Sequence, residues 1–194
     1  MLRPTRRVFL KSGLAGSCLG SLVLWRPSIS PGQAPPASVA TIASSRRIEF
    51  GAEPTTVTLA LSTAARDRLR QATGPSSTAT IFLNVEGVEF DQHPGTTAEI
   101  YLNLPPGVAP SRRSLRFVGS LAFFGPGRAD APSRSVESYD ITRLIKTLRA
   151  RGLWSDDRIT VTFALARWTR PGGGVEPLAP DVKVRIAQVA IVVQ

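Results

Sequence analysis

Hydrophobic and polar residues alternate in short runs from residue 57 to the end of the chain. Turn residues such as glycine, proline and aspartate separate the runs, and a period of two is typical of strands with one buried face. The pattern therefore predicts an antiparallel β-sandwich or barrel. The runs that carry it are residues 57–61, 81–85, 97–105, 115–123, 159–165, 182–186 and 189–193.

The hydrophobic parity changes at two points. Val85 and Val88 fall on opposite parities with Gly87 between them, which indicates a bulge or a tight turn. A similar change separates Ile186 from Val189. Between residues 115 and 123 the large apolar side chains keep one parity, so we expect all of them on one face of a strand.

One segment has helical periodicity. Asp140 is suited to an N-cap, the apolar side chains that follow share one face, and Gly152 can end the helix. We expect this stripe to pack on the sheets, with a partner-binding face as the alternative; its members are Ile141, Leu144, Ile145 and Leu148. Residues 62–73 form a weaker candidate for a second helix, and the Pro/Ala/Ser-rich residues 34–45 predict a flexible linker.

The N-terminus has the layout of an export signal. Arg6 and Arg7 precede Phe9, Leu10 and Lys11, and a 13-residue apolar run over residues 13–25 is too short to span a bilayer. Paired arginines before such a run indicate the bacterial twin-arginine route, which carries folded proteins. An ordinary secretory signal and lipidation of Cys18 are the alternatives.

Small residues after the apolar run offer two cleavage sites, after Ala40 or after Ala43. We therefore predict a signal peptide and linker over residues 1–40 and a single β domain over residues 41–194. The expected location is the bacterial periplasm or the exterior, and the twin-arginine translocase is the expected partner.

The composition argues against nucleic-acid binding and against a disulfide-bonded domain. The chain carries a formal charge of +10, of which the first 40 residues contribute half through five Lys and Arg without an acid. The remaining charge is spread out and has no basic stripe with aromatics, so nucleic acid is not an expected partner. The only cysteine is Cys18, so the domain itself has no disulfide.

Few residues could carry out chemistry. His93 is the only histidine and lies in a turn-like segment, so neither a copper, zinc or haem site nor a Ser-His-Asp triad is expected. Residues 170–177 are glycine-rich and fit a hairpin tip better than a phosphate loop. Asp156 and Asp157 fit a polar turn better than a calcium site. We predict no catalytic residues, metal or cofactor.

Two weaker alternatives involve binding or carboxylate chemistry. Trp154 and Trp168 could form a sugar platform, although tryptophan more often packs in a core. Glu86, Glu89 and Asp91 lie close enough in sequence to raise the idea of a carboxylate pair, which only the fold could set.

The order of the segments resembles the C-terminal, KFDV-type domain of plant polyphenol oxidases over residues 81–194. The matching pieces are residues 86–90 (EGVEF), 101–103 (YLN), 117–120 (FVGS), 140–148, 156–157 and 161–167. Thr97-Ala98-Glu99-Ile100 stands where that family has Lys-Phe-Asp-Val. The resemblance implies a β-sandwich without copper ligands.

In that family the domain covers the entrance of a di-copper enzyme and keeps the enzyme latent. The resemblance therefore implies a non-catalytic accessory domain that covers or escorts a separately encoded di-copper oxidase. The alternative is a secreted binding or structural domain without such a partner. Phe123 and Phe124 are adjacent, so only one can enter the core; parity with Leu121 leaves Phe124 outward as the candidate partner contact.

Replacing Arg6 and Arg7 together by lysine should hold the chain in the cytoplasm. Lysine keeps the positive charge but not the planar guanidinium shape that a twin-arginine signal presents. Fractionation and immunoblotting of cytoplasm and periplasm measure the effect, with Arg3→Lys as the control that should export normally. An unchanged periplasmic yield of the double variant would identify the ordinary secretory route instead.

Overall fold

The strands and helices lie where apolar side chains alternate or recur. The computed structural model describes residues 39–123, 136–167, 172, 178 and 181–194. Within these residues the elements are, in chain order, β1 (Ala40–Phe50), β2 (Thr55–Leu59), α1 (Thr63–Ala72), β3 (Ile81–Phe90), β4 (Ala98–Leu102), β5 (Phe117–Leu121), β6 (Val136–Asp140), α2 (Thr142–Ala150), β7 (Ile159–Leu165) and β8 (Val184–Val193).

Two antiparallel four-stranded sheets face each other across one apolar core. The first sheet has the order β1-β8-β3-β6 and the second β2-β7-β4-β5. Inward side chains of both sheets form the core, and Phe50 of β1 stacks on Phe163 of β7 with ring centroids 5.3 Å apart. The predicted β-sandwich is confirmed; in the part of the chain described, each sheet keeps two edge strands and does not close into a barrel.

The parity change near Gly87 is a kink within one continuous strand. The β3–β8 ladder passes from Glu86 opposite Gln188 to Val88 opposite Ile186, so both strands change parity at the same row. Gly87 has φ +63° and Arg47, in the neighbouring β1, has φ +54°. Glycine adopts this left-handed conformation without steric cost. The β3–β8 register continues without a shift through this row, so both the predicted bulge and the predicted tight turn are wrong here.

The expectation of one shared face over residues 115–123 is wrong. The β4–β5 register shifts so that Ile100 lies opposite Gly119 but Tyr101 lies opposite Phe117. The shift turns Phe117 to the outer face of the sheet, where its ring centroid is 5.6 Å from that of Tyr101. Leu115 is 45% exposed, whereas Leu121 is buried in the core.

Both candidate helices form. In α1 the Ser62 hydroxyl caps the helix by accepting from Ala65 N at 3.2 Å, which confirms the weaker of the two predictions. The stripe of α2 packs on the sheets as predicted: Ile141, Ile145 and Leu148 are fully buried and Leu144 is half-buried. None of the helices described is long and apolar enough to cross a membrane.

One end of α2 follows the sequence signals and the other does not. The predicted N-cap Asp140 is wrong, because the N-cap residue is Ile141, which has no side-chain cap; Asp140 lies one residue earlier and accepts a hydrogen bond from Thr142 N at 2.9 Å. Gly152 has φ +67°, and its N–H donates to Arg149 O at 3.0 Å, which closes the last turn.

The expected flexible linker is wrong in its last residues. Residues 40–45 belong to β1 and are not linker, because Ile42 and Ala43 contribute to the core. Ala40 is thus the first residue of a strand and Ala43 is buried inside it; cleavage at either remains a prediction. The predicted hairpin tip over residues 170–177 lies, apart from residue 172, outside the described residues.

Tyr139 connects the edge strands of the two sheets, β6 and β5, at one side of the sandwich. Its ring, on β6, lies against Gly119 of β5, and its hydroxyl donates to Ser120 O at 3.2 Å. A Cβ at position 119 would lie 2.8 Å from two ring carbons of Tyr139. Burial, followed by the charge of Glu137, raises the pKa of Tyr139 to about 12, so the hydroxyl stays a donor.

Gly119→Ala should therefore lower the free energy of unfolding by about 1–3 kcal/mol, as overpacked sites do. Thermal and urea unfolding measure the loss. The control is the same substitution in a Tyr139→Ala background, where the obstructing ring is gone and the added loss should be small. Equal losses in both backgrounds would mean that the ring does not require glycine here.

Candidate functional site

A groove of about 770 Å³ runs across the outer face of the sheet β2-β7-β4-β5. Threonines of β2 and β7 form its floor, the loop over residues 103–110 forms one wall, and residues 153–158 close one end together with Arg116. We call it the threonine groove, after the floor residues Thr56, Thr58, Thr160 and Thr162.

The floor follows from strand alternation. Ile159, Val161 and Phe163 point into the core, so the threonines between them face outward. The β2–β7 register places Thr56 opposite Thr162 and Thr58 opposite Thr160. The Thr56 and Thr162 hydroxyl oxygens are 2.8 Å apart and hydrogen-bonded.

Asn103 turns the chain from β4 into the wall of the groove. Its backbone is left-handed, with φ +53°, a conformation that asparagine tolerates better than most residues. Its N–H donates to Thr160 O at 2.8 Å, and its side-chain Oδ1 accepts from Thr160 N at 2.7 Å. The asparagine therefore ends β4 while holding the wall against β7.

Glu99 anchors the far part of the same loop. It accepts a hydrogen bond from the buried Tyr101 hydroxyl, and Arg112 Nε donates to Glu99 Oε1 at 2.5 Å. Burial, and then the hydrogen bond to Glu99, raises the pKa of Tyr101, so the phenol stays protonated. The Glu99 carboxylate therefore holds this part of the loop in two ways: it accepts a hydrogen bond from the neutral Tyr101 hydroxyl, and it forms an ion pair with Arg112.

The closed end of the groove is positively charged. Arg116 Nη2 donates to Leu153 O at 3.2 Å, while Nη1 is buried and makes no hydrogen bond within the described residues. Arg158 is exposed and also lines the groove. No aspartate or glutamate is among the described residues that line it, so this end can accept an anion.

Asp156 fixes the turn that forms this end. Its carboxylate accepts from Trp154 Nε1 at 2.9 Å and Arg70 Nε at 3.0 Å, and it pairs with Arg149. Its side chain is 15% exposed. Burial alone would raise the pKa of Asp156, but the hydrogen bonds from Trp154 and Arg70 and the charge of Arg149 together hold it below its usual value.

Three of the residues that could carry out chemistry, His93, Glu89 and Asp91, have structural partners. His93 donates from Nε2 to Phe123 O at 3.0 Å and accepts from Gly95 N at Nδ1, so both ring nitrogens are occupied. Glu89 and Asp91 both pair with Arg185. Within the described ranges, His, Cys, Asp and Glu side chains form no cluster of three or more that could hold a metal.

Trp154 is half-buried against the core, with the Arg149 guanidinium 5.9 Å from its ring centroid, so its ring is not a free platform. Cys18, Phe124, Trp168 and the export-signal residues Arg6, Arg7, Phe9, Leu10 and Lys11 lie outside the described residues. The sequence reasoning missed the threonine groove, because threonines alternating with core residues look like ordinary solvent-facing positions.

Comparisons with known proteins give a family and several structural similarities. A family model described as "Domain of unknown function (DUF7868)" matches residues 38–193. No curated protein matches the chain significantly. Among solved structures, latent apple tyrosinase is similar with 18% identity and a TM-score of 0.44, over 76% of this chain and 27% of that one.

Two structures of latent aurone synthase, a polyphenol oxidase, are also similar. The protein from its natural source has 13% identity and a TM-score of 0.39, over 71% of this chain and 24% of that one. The recombinant protein has 14% identity and a TM-score of 0.38, over 73% and 25%. The chain spans about a quarter of the length of these enzymes.

Asp156→Asn should lower the free energy of unfolding near neutral pH by about 1.5–3 kcal/mol, as the loss of charged hydrogen bonds does. The folded pKa lies below the unfolded value of about 3.9, so the charge of Asp156 stabilises the wild type above that pH. This contribution disappears as pH falls through the folded pKa. The difference between wild type and variant should therefore shrink below about pH 4.

Urea unfolding at several pH values measures this difference. Asp157→Asn is the matched control: its side chain is 82% exposed with one ion pair to Arg66, so a change of about 0–1 kcal/mol is expected. A difference for Asp156→Asn that does not depend on pH would contradict the charge-based account.

Proposed function

The chain belongs to the family described as "Domain of unknown function (DUF7868)", and we propose that it is an exported, non-catalytic accessory domain. In this proposal it covers or escorts a separately encoded di-copper polyphenol oxidase. The observation that carries the proposal is the ordered set of sequence pieces that resemble the C-terminal domain of plant polyphenol oxidases, from residues 86–90 to residues 161–167.

The positions of those pieces are consistent with a scaffold role. Gly87 allows the kink of β3, Asn103 ends β4, Gly119 accommodates the Tyr139 ring, and Asp156 ties the helices to β7. Each piece performs a local structural task, and none of them supplies a free nucleophile or a pair of unpartnered carboxylates among these contacts. A domain built in this way acts through its surfaces.

The export signal gives a reason for pairing with a metalloenzyme. The twin-arginine route carries folded proteins, so an enzyme loaded with copper in the cytoplasm could leave while bound to this chain. The chain offers few metal-binding side chains, so covering or escorting is a better fit than copper delivery. A neighbouring gene for a histidine-rich copper oxidase without its own signal would support the proposal.

Phe124 remains the proposed contact with the partner. It follows Phe123, which is buried with its ring centroid 5.7 Å from that of Phe90 in a T-shaped contact. From the sequence pattern alone, we propose that Phe124 faces outward and fills the entrance of the oxidase.

Phe124→Ala should leave the melting temperature nearly unchanged and weaken association with the cognate oxidase by about tenfold or more, as truncating a central aromatic anchor does. Co-purification and oxidase activity with and without this chain measure the effect. Leu115→Ala is the control, since Leu115 is 45% exposed outside the proposed contact.

Full binding and inhibition by Phe124→Ala would remove this residue from the account. No association between the wild-type chain and any di-copper oxidase would contradict the proposal itself.

A second candidate function is that of a secreted binding domain without an oxidase partner. The threonine groove favours it, because a concave site with a polar floor, apolar walls and a charged end has the features of a ligand site. Ligand binding that persists when no oxidase is present would distinguish this function from the first.

A further inference from the structure

We infer that the threonine groove binds a small organic anion, a carboxylate with a compact apolar body, whose charged end faces Arg116 and Arg158. The inference rests on the second candidate function and needs no oxidase. The groove volume, about 770 Å³, lies within the range of about 300–1,000 Å³ that is usual for small-molecule sites.

The charge of the ligand follows from the closed end of the groove. Two guanidinium groups line it, and no acidic side chain of the described residues does. Elsewhere in this domain, arginines at similar depth pair with carboxylates: Arg149 with Asp156, and Arg185 with Asp91. The Arg116 side chain instead makes one hydrogen bond within the described part of the chain, to a backbone oxygen.

The geometry of the two guanidinium groups specifies the chemical group further. Nη2 is engaged with Leu153 O at 3.2 Å, whereas the buried Nη1 makes no hydrogen bond to any described residue. Nη1 has no exposed surface, so it does not itself reach a ligand in the groove. Arg158 is exposed, and a planar carboxylate matches the two-pronged geometry of its guanidinium better than a neutral oxygen does.

The walls specify the body of the ligand. The loop over residues 103–110 contributes three prolines and Val108, which is 50% exposed, and Leu153 at the charged end is 43% exposed. Such large exposed apolar side chains favour contact with an apolar group. The threonine hydroxyls of the floor can donate to or accept from a second polar group of the ligand.

Other ligand classes fit this groove less well. Sugars are usually held by aromatic platforms, and none of the described residues that line the groove is aromatic. A divalent cation needs carboxylate oxygens, which are absent from the same set.

The test titrates the full chain with benzoate, with its neutral analogue benzamide and with inorganic phosphate, followed by NMR and calorimetry. We expect saturable benzoate binding with a dissociation constant in about the millimolar range, as suits so small a ligand. Benzamide should bind about tenfold more weakly or worse, because it lacks the charge, and phosphate should bind more weakly because it lacks the apolar body.

The variants assign the binding to the groove. Arg158→Gln and Arg116→Gln should each weaken benzoate binding by about tenfold or more, whereas Arg113→Gln, exposed on the same loop but outside the groove, should not. If Arg116→Gln unfolds through loss of its bond to Leu153, the exposed Arg158 decides the matter.

The inference is overturned by any of three results: no saturable benzoate binding, equal binding of benzamide, or equal weakening by Arg113→Gln. Phosphate binding as strong as benzoate binding would overturn the apolar part and leave a general anion site. None of these results bears on the association with an oxidase, which the co-purification experiment tests separately.

Discussion

A single carboxylate, Asp156, joins segments of this domain that are far apart in sequence. It receives Arg70 from α1, Arg149 from α2 and the Trp154 indole from its own turn. These contacts close one end of the sandwich and fix residues 153–158. Leu153, at the start of that turn, accepts the hydrogen bond from Arg116, so the charged end of the threonine groove depends on the same carboxylate.

The charged residues fall into two groups, those that form ion pairs within the fold and those that line the threonine groove. Glu99, Asp91 and Asp156 are each engaged by an arginine, and these pairs hold loops and helices in place. The threonine groove, by contrast, has guanidinium groups and hydroxyls but no acid among its described residues. The domain thus has ion pairs that stabilise its fold and, on one sheet, a groove with basic and hydroxyl side chains.

The local elements could be predicted from the sequence because their signals are local. Period-two runs indicated the strands, and the stripe from Ile141 to Leu148 indicated α2. Strand β1 was missed because its serines and arginines look like linker, while its core contribution depends on pairing with β8. The outward position of the Phe117 side chain was not predicted, because it follows from a register shift between β4 and β5.

The site was harder to predict because its parts meet only in the fold. Arg70 and Asp156 are 86 residues apart in sequence, and no periodicity connects them. Arg116 likewise meets Leu153 across 37 residues. The family resemblance identified Asn103, Gly119 and Asp156 as parts of a motif, but only the structure assigns each a physical task.

The central proposal is that this chain acts on a partner enzyme and carries out no oxidase chemistry itself. The most direct test deletes only this chain from its host and measures the location, copper content and latency of the proposed di-copper oxidase. The account predicts that the oxidase stays in the cytoplasm or is exported in a form that is active without activation. An oxidase with unchanged location, copper content and latency would contradict it.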